Sequence, residues 1–121
     1  MTWDPLSEVI DEPLNINASV INELRIFRCK EKFSQLPGTD TAQERERLSK
    51  VLDDLILALV QGLEANPTKL WVLTQFQKYL VLVQDEDTEG RDHFGREVEQ
   101  VMDIVGVESS DGLLSAYLGG I

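Results

Sequence analysis

The densest set of chemically useful side chains in this 121-residue chain is Asp85-Glu86-Asp87-Thr88-Glu89-Gly90-Arg91-Asp92-His93-Phe94-Gly95-Arg96-Glu97. Carboxylates at alternate positions before a glycine are how a calcium-binding helix-loop-helix opens. Such a loop also needs an apolar residue at its eighth position and a bidentate glutamate at its twelfth. Counting from Asp85, the oxygens of Asp85, Asp87 and Glu89 and the glycine Gly90 fall where they should. Asp92 then occupies the apolar position, and Arg96 the closing one, where a cation repels the ion. The segment is therefore read as a helix start, with Asp87 or Thr88 as the cap and acids facing the positive end of the helix dipole. A cap needs one acid. Asp85, Glu86, Asp87 and Glu89, with Asp92 one turn on, are a surplus that repels itself, and they are the candidate contacts for a cationic partner.

No other constellation supplies catalysis. His93 is the only histidine and Cys29 the only cysteine, so no zinc cluster and no internal disulfide can be assembled. His93 is expected on the surface, and Cys29 is expected to be an inert residue near a helix end despite its neighbours Arg28 and Lys30. Ser109-Ser110-Asp111 lacks the glycine frame of a nucleophile elbow and reads as a cap. Gly106, Gly112, Gly119 and Gly120 precede no phosphate-loop lysine. No catalytic residue, metal or cofactor is expected. Three aromatics can anchor an interface: Trp3, Trp71 and Tyr117. Trp71, between Leu70 and Val72, is assigned to the core. Trp3 stands in an acidic segment with Asp4 and Glu8 and joins the candidate partner-binding residues.

The elements that must position these residues are helical. Asp4-Pro5 starts a short helix to about Asp11, within an N-terminal arm of residues 1–16 that either docks or stays free. A single helical domain follows over 17–121. Asn17 or Ser19 caps a helix with Val20, Leu24 and Phe27 on one face and Arg25, Arg28, Lys30 and Lys32 towards its end. Leu36-Pro37-Gly38 breaks the chain. Thr41-Ala42-Gln43-Glu44 has capping-box spacing before a long central helix to about Glu64, apolar all round from Leu55 to Val60. Asn66-Pro67 opens the next helix, carrying Leu70, Leu73, Phe76, Leu80 and Val83, although Leu80–Val83 also fits a short buried strand. Phe94, Val98, Val101, Met102 and Val105 form the clearest amphipathic stripe, closed by Gly106 with Val107 set against Met102. Ser109 or Ser110 caps a last short helix through Leu113, Leu114, Tyr117 and Leu118, stopped by Gly119-Gly120. The fold class is all-α, a compact bundle of about five or six helices with no sheet.

Charge is unevenly distributed. The net charge is −11; residues 1–24 hold −5, residues 25–84 hold +2 and residues 85–111 hold −8. Such a field repels nucleic acid and favours basic partners. With 42% hydrophobic residues, no basic apolar leader and no run near 18 apolar residues, the chain is expected to be a folded cytoplasmic protein without a membrane segment.

The run Val101-Met102-Asp103-Ile104-Val105-Gly106-Val107-Glu108-Ser109-Ser110-Asp111-Gly112-Leu113-Leu114 resembles the closing signature of a family of small acidic bacterial proteins classed as a domain of unknown function. Ala65-Asn66-Pro67-Thr68-Lys69 is similar too, and the resemblance extends from Asn17 to Leu118. That family tends to end on an aromatic W-L-Y-G-F type sequence; this chain ends Ala116-Tyr117-Leu118-Gly119-Gly120-Ile121 and departs from it. The resemblance implies no catalytic residues. By its size and charge it is similar to immunity proteins that neutralise bacterial toxins. The function expected is an acidic protein-binding module, an immunity protein that occludes a basic toxin. Two alternatives stay open: a helical subunit or homodimeric regulator, and a small metal-dependent enzyme using the acidic loop.

Overall fold

In the computed structural model, which describes residues 3–33 and 42–119, helix starts form where a side-chain oxygen meets orphan backbone amides. Asp4 accepts from the Leu6 amide at 3.0 Å and opens a single 3₁₀ turn, Pro5–Glu8. Asn17 accepts from Val20 at 3.1 Å and opens α1 (Ala18–Cys29). The start of α2 (Ala42–Gly62) adjoins Thr41, so the expected capping box lies outside the described residues, as do Leu36-Pro37-Gly38 and Gly120. The next start differs from expectation. Thr68, not Asn66, caps α3 (Lys69–Val83), accepting from Trp71 at 3.3 Å, while the Asn66 side-chain amide donates back to the Gly62 carbonyl at 2.9 Å and closes α2. Asp87 accepts from Gly90 at 2.7 Å and opens α4 (Thr88–Val105).

Beyond α4, Gly106 adopts the left-handed conformation at φ 87°, and the amides of Gly106 and Val107 both donate to the Met102 carbonyl at 2.9 Å. Val107 and Met102 are both buried, as the glycine-closed cap requires. The last helix, α5 (Leu113–Leu118), starts after left-handed Gly112 rather than at a serine. Even so, Ser110 Oγ accepts from the Leu114 amide at 3.3 Å.

The described residues form an all-α fold with five α-helices and no sheet; the one strand-like contact is an isolated bridge between Pro13 and Thr68. The Leu80–Val83 turn is helical. It cannot leave the helix because Leu80 and Val83 continue the buried stripe of Val72, Leu73 and Phe76. α2 packs between α1 and α3, α5 lies on α3, and α4 closes the bundle against α1, α2 and α5. Leu24, Leu48, Leu52, Leu55, Leu59, Phe76, Phe94, Val98 and Val101 are fully enclosed. Burying each such side chain contributes about 1.5–3 kcal/mol.

Among the buried polar residues, His93 corrects the sequence expectation. His93 is 6% exposed rather than on the surface, because α4 is covered from three directions and buries His93, Phe94 and Gly95 in succession. Lys32 is also buried, and it ends α1 by donating to the carbonyls of Phe27, Arg28 and Lys30 at 3.2, 2.9 and 2.6 Å. Those bonds use all three of its protons. Its 2.9 Å approach to Asp53 Oδ1 is consequently an ion pair without hydrogen-bond geometry.

The segment from Trp3 to Leu14 docks. Pro5 is buried, and Leu6, Val9 and Leu14 pack half-buried against the core. Its polar groups attach to the start of α3. The Glu12 carbonyl accepts from the Lys69 amide at 2.9 Å, Asp11 Oδ1 accepts from Leu70 at 2.8 Å, and the Leu14 amide donates to the Pro67 carbonyl at 2.8 Å.

Candidate binding groove

Docking of the N-terminal segment brings Trp3 against α3 and α5. Trp3, Asp4 and Pro5 face Gln77, Lys78 and Val81 of α3 and Tyr117 of α5 across an open groove of about 520 Å³. Its floor is fixed by one amide: Gln77 Nε2 donates to Asp4 Oδ1 and to Tyr117 Oη, both at 3.0 Å. The backbone amide of Leu6 and then Gln77 hold the Asp4 carboxyl below its ordinary value, so it stays charged. Trp3 is 61% exposed, and its indole N–H lies 3.5 Å from Glu8 Oε1. Val81 and Leu82 are also exposed on the outer side of α3. The groove thus combines two aromatics, apolar Pro5 and Val81, the Asp4 carboxylate and the Lys78 ammonium, with Glu8 beside the indole.

Three of the candidate site residues, Trp3, Asp4 and Glu8, meet here. The other five lie at the α3–α4 junction, where most of them have structural work. Glu86 makes a two-pronged pair with Arg47 of α2, at 2.6 Å from Nη2 and 3.2 Å from Nε. Asp87 is the cap described above, and Asp92 pairs with Arg96 one turn along at 3.0 Å. The side chains of Asp85 and Glu89 are exposed, with no side-chain hydrogen bond or ion pair among the described residues. The surplus of charge inferred from the sequence therefore reduces to these two carboxylates. Among the described residues, no group of three or more histidine, cysteine, aspartate or glutamate side chains converges to hold a metal ion.

Trp71 is half-buried rather than a core residue. Its ring lies over Gly62, where a Cβ would come within 2.5 Å of Trp71 Cζ2. Tyr117, singled out from the sequence, takes its place in the groove. Gln77 and Val81 were not anticipated. The signal for Val81 was present in Tyr79–Val83, an apolar run too continuous for one buried helix face.

Asp111 has a larger role than the cap assigned to it. Its Oδ2 meets the buried Lys69 ammonium at 2.7 Å and accepts from the Ile10 amide at 2.9 Å, tying the α4–α5 loop to α3 and to the N-terminal segment. Lys69 first, then the Ile10 amide, hold the Asp111 carboxyl below its ordinary value. Nothing in the local sequence marks this contact, since its partners are 42 and 101 residues away.

The described residues thus form a helical bundle whose surface carries an open groove lined by Trp3 and Tyr117, with one carboxylate, Asp4, and one ammonium, Lys78. The chain belongs to the family described as Domain of unknown function (DUF4844), whose model matches residues 15–121. No curated protein and no solved structure matches it. No helix among the described residues is long and apolar enough to cross a membrane.

Proposed function

We propose that this protein is an acidic protein-binding module that captures a basic partner, and that it acts as an immunity protein occluding a toxin. The observation that carries this reading is Trp3, held largely exposed by a docked segment beside Tyr117 and Val81, with Asp4 in the same lining and Glu8 next to the indole. Exposed tryptophans in such settings are the commonest interface anchors, and the acids around them select lysine and arginine. The net charge of −11 draws a basic protein in at long range, and Asp85 and Glu89 add carboxylates not consumed by the fold. If the target is a nuclease, these carboxylates take the place of substrate phosphates.

The test is affinity capture from lysates of the source cell and its neighbours at low and high salt, followed by titration of the captured protein. A basic protein is expected, retained best at low salt. Trp3→Ala should weaken its binding by about 2 kcal/mol or more, roughly thirtyfold. Capture of no basic protein at either salt concentration, or a Trp3→Ala variant that binds equally well, overturns the reading.

A further inference from the structure

The groove is assembled from two separable parts. Gln77, Lys78, Val81 and Tyr117 belong to the region matched by the family, whereas Trp3, Asp4 and Pro5 lie upstream of its first residue, 15. The upstream part is attached chiefly by polar contacts, at exposed positions from Ile10 to Asp111, Leu70 to Asp11 and Gln77 to Asp4, and at buried or half-buried ones from Lys69 to Glu12 and Leu14 to Pro67. Apart from Pro5, its apolar residues are only half-buried or exposed, and Ile10 is 75% exposed. Few buried apolar contacts and many exposed backbone hydrogen bonds are the marks of a unit that opens below the global unfolding free energy. Opening also leaves the bundle little damaged. It frees the α3 amides of Lys69 and Leu70 to water, while Thr68 keeps those of Trp71 and Val72.

We infer that Trp3–Leu14 is a strap that docks and releases as one unit, with Asp111 as its latch, and that its docking gates the groove. This rests on the groove being the binding site. A ligand that contacts both walls binds only the docked form, so its apparent affinity scales with the docked fraction, and its binding in turn closes the strap. Asp111 suits the role because one oxygen reads both sides: the strap through the Ile10 amide and the bundle through Lys69.

The experiment is amide hydrogen exchange on the full chain, without any partner, for wild type, Asp111→Asn and Asp11→Ala. Asparagine is chosen because residue 111 has φ 52°, a left-handed conformation that it tolerates. In Asp111→Asn, the Leu14 amide, which belongs to a residue that Asp111 does not touch, is expected to exchange about tenfold faster or more, together with Ile10. In Asp11→Ala, Ile10 and Leu14 should accelerate likewise. Val98 and Val101 in α4 should keep their wild-type rates. Acceleration only at Ile10 in the first variant, or strap amides that exchange at the α4 rate in wild type, overturns the inference. Since no partner is present, that failure is distinct from a failure of the binding reading.

Discussion

Glu97 illustrates how one side chain can work against the fold that holds it. Burial raises its carboxyl above the ordinary value, and the charge of Lys32 offsets this only in part. The folded state therefore holds the proton more tightly than the unfolded chain does, and stability falls as pH rises from the ordinary carboxylate range through the raised value. Glu97→Gln should stabilise the protein at neutral pH by on the order of a few tenths of a kcal/mol, because the group is half-exposed and solvent screens it. The gain should vanish in acid, where the wild-type carboxyl is neutral in both states. Urea titrations at pH 7 and pH 3.5 check this; an equal gain at both rules out ionisation as the cause.

Between elements, the crossing of α2 and α3 is set by Gly62 and Trp71. Alanine is the better helix former by about 1 kcal/mol, yet a Cβ at position 62 would fall 2.5 Å from the indole ring. The clash should win. Gly62→Ala is expected to lose about 1 kcal/mol net and, in a Trp3→Phe background, to shift Trp71 emission to longer wavelength as the ring is pushed outward. A more stable variant with unchanged emission would show that the added methyl is accommodated without displacing the ring. Helices were legible at this scale because a cap followed by an apolar period of 3.6 is local information: Asn17, Asp87 and the Phe94–Val105 stripe all act where the spacing puts them. The misplaced features were those decided by neighbours. His93 is buried because three helices converge on α4, Thr68 takes the cap because Asn66 is occupied with Gly62, and Ile21 rather than Val20 is fully buried on α1. The groove was half legible: Trp3, Asp4, Glu8 and Tyr117 are conspicuous as residue types, but no spacing brings residue 3 to residue 117.

For the whole molecule, acid should act on the strap before the core. Asp4 and Asp111 both have carboxyls below their ordinary value, so each contributes stability above the unfolded carboxylate range that is lost as pH falls through its depressed folded value. Asp111 holds the strap through the Ile10 amide, and Asp4, within the strap, accepts from Gln77 of the bundle. Exchange protection at Ile10, Leu14 and Lys69 is thus expected to fall at a higher pH than protection at Val98 and Val101; simultaneous loss would mean that the strap and bundle melt as one body.

The pairing of Glu86 with Arg47 changes the character of the connector that carries it. A run of acids on a free connector behaves as a brush, whose ordering entropy must be lost when a ligand settles on it. Here the connector is anchored at Glu86 to the side of α2 and at Asp87 to the first turn of α4. Asp85 and Glu89 therefore project from either side of two fixed points. The surface offers fewer unpaired charges than its sequence suggests, and the backbone that carries them is held in place.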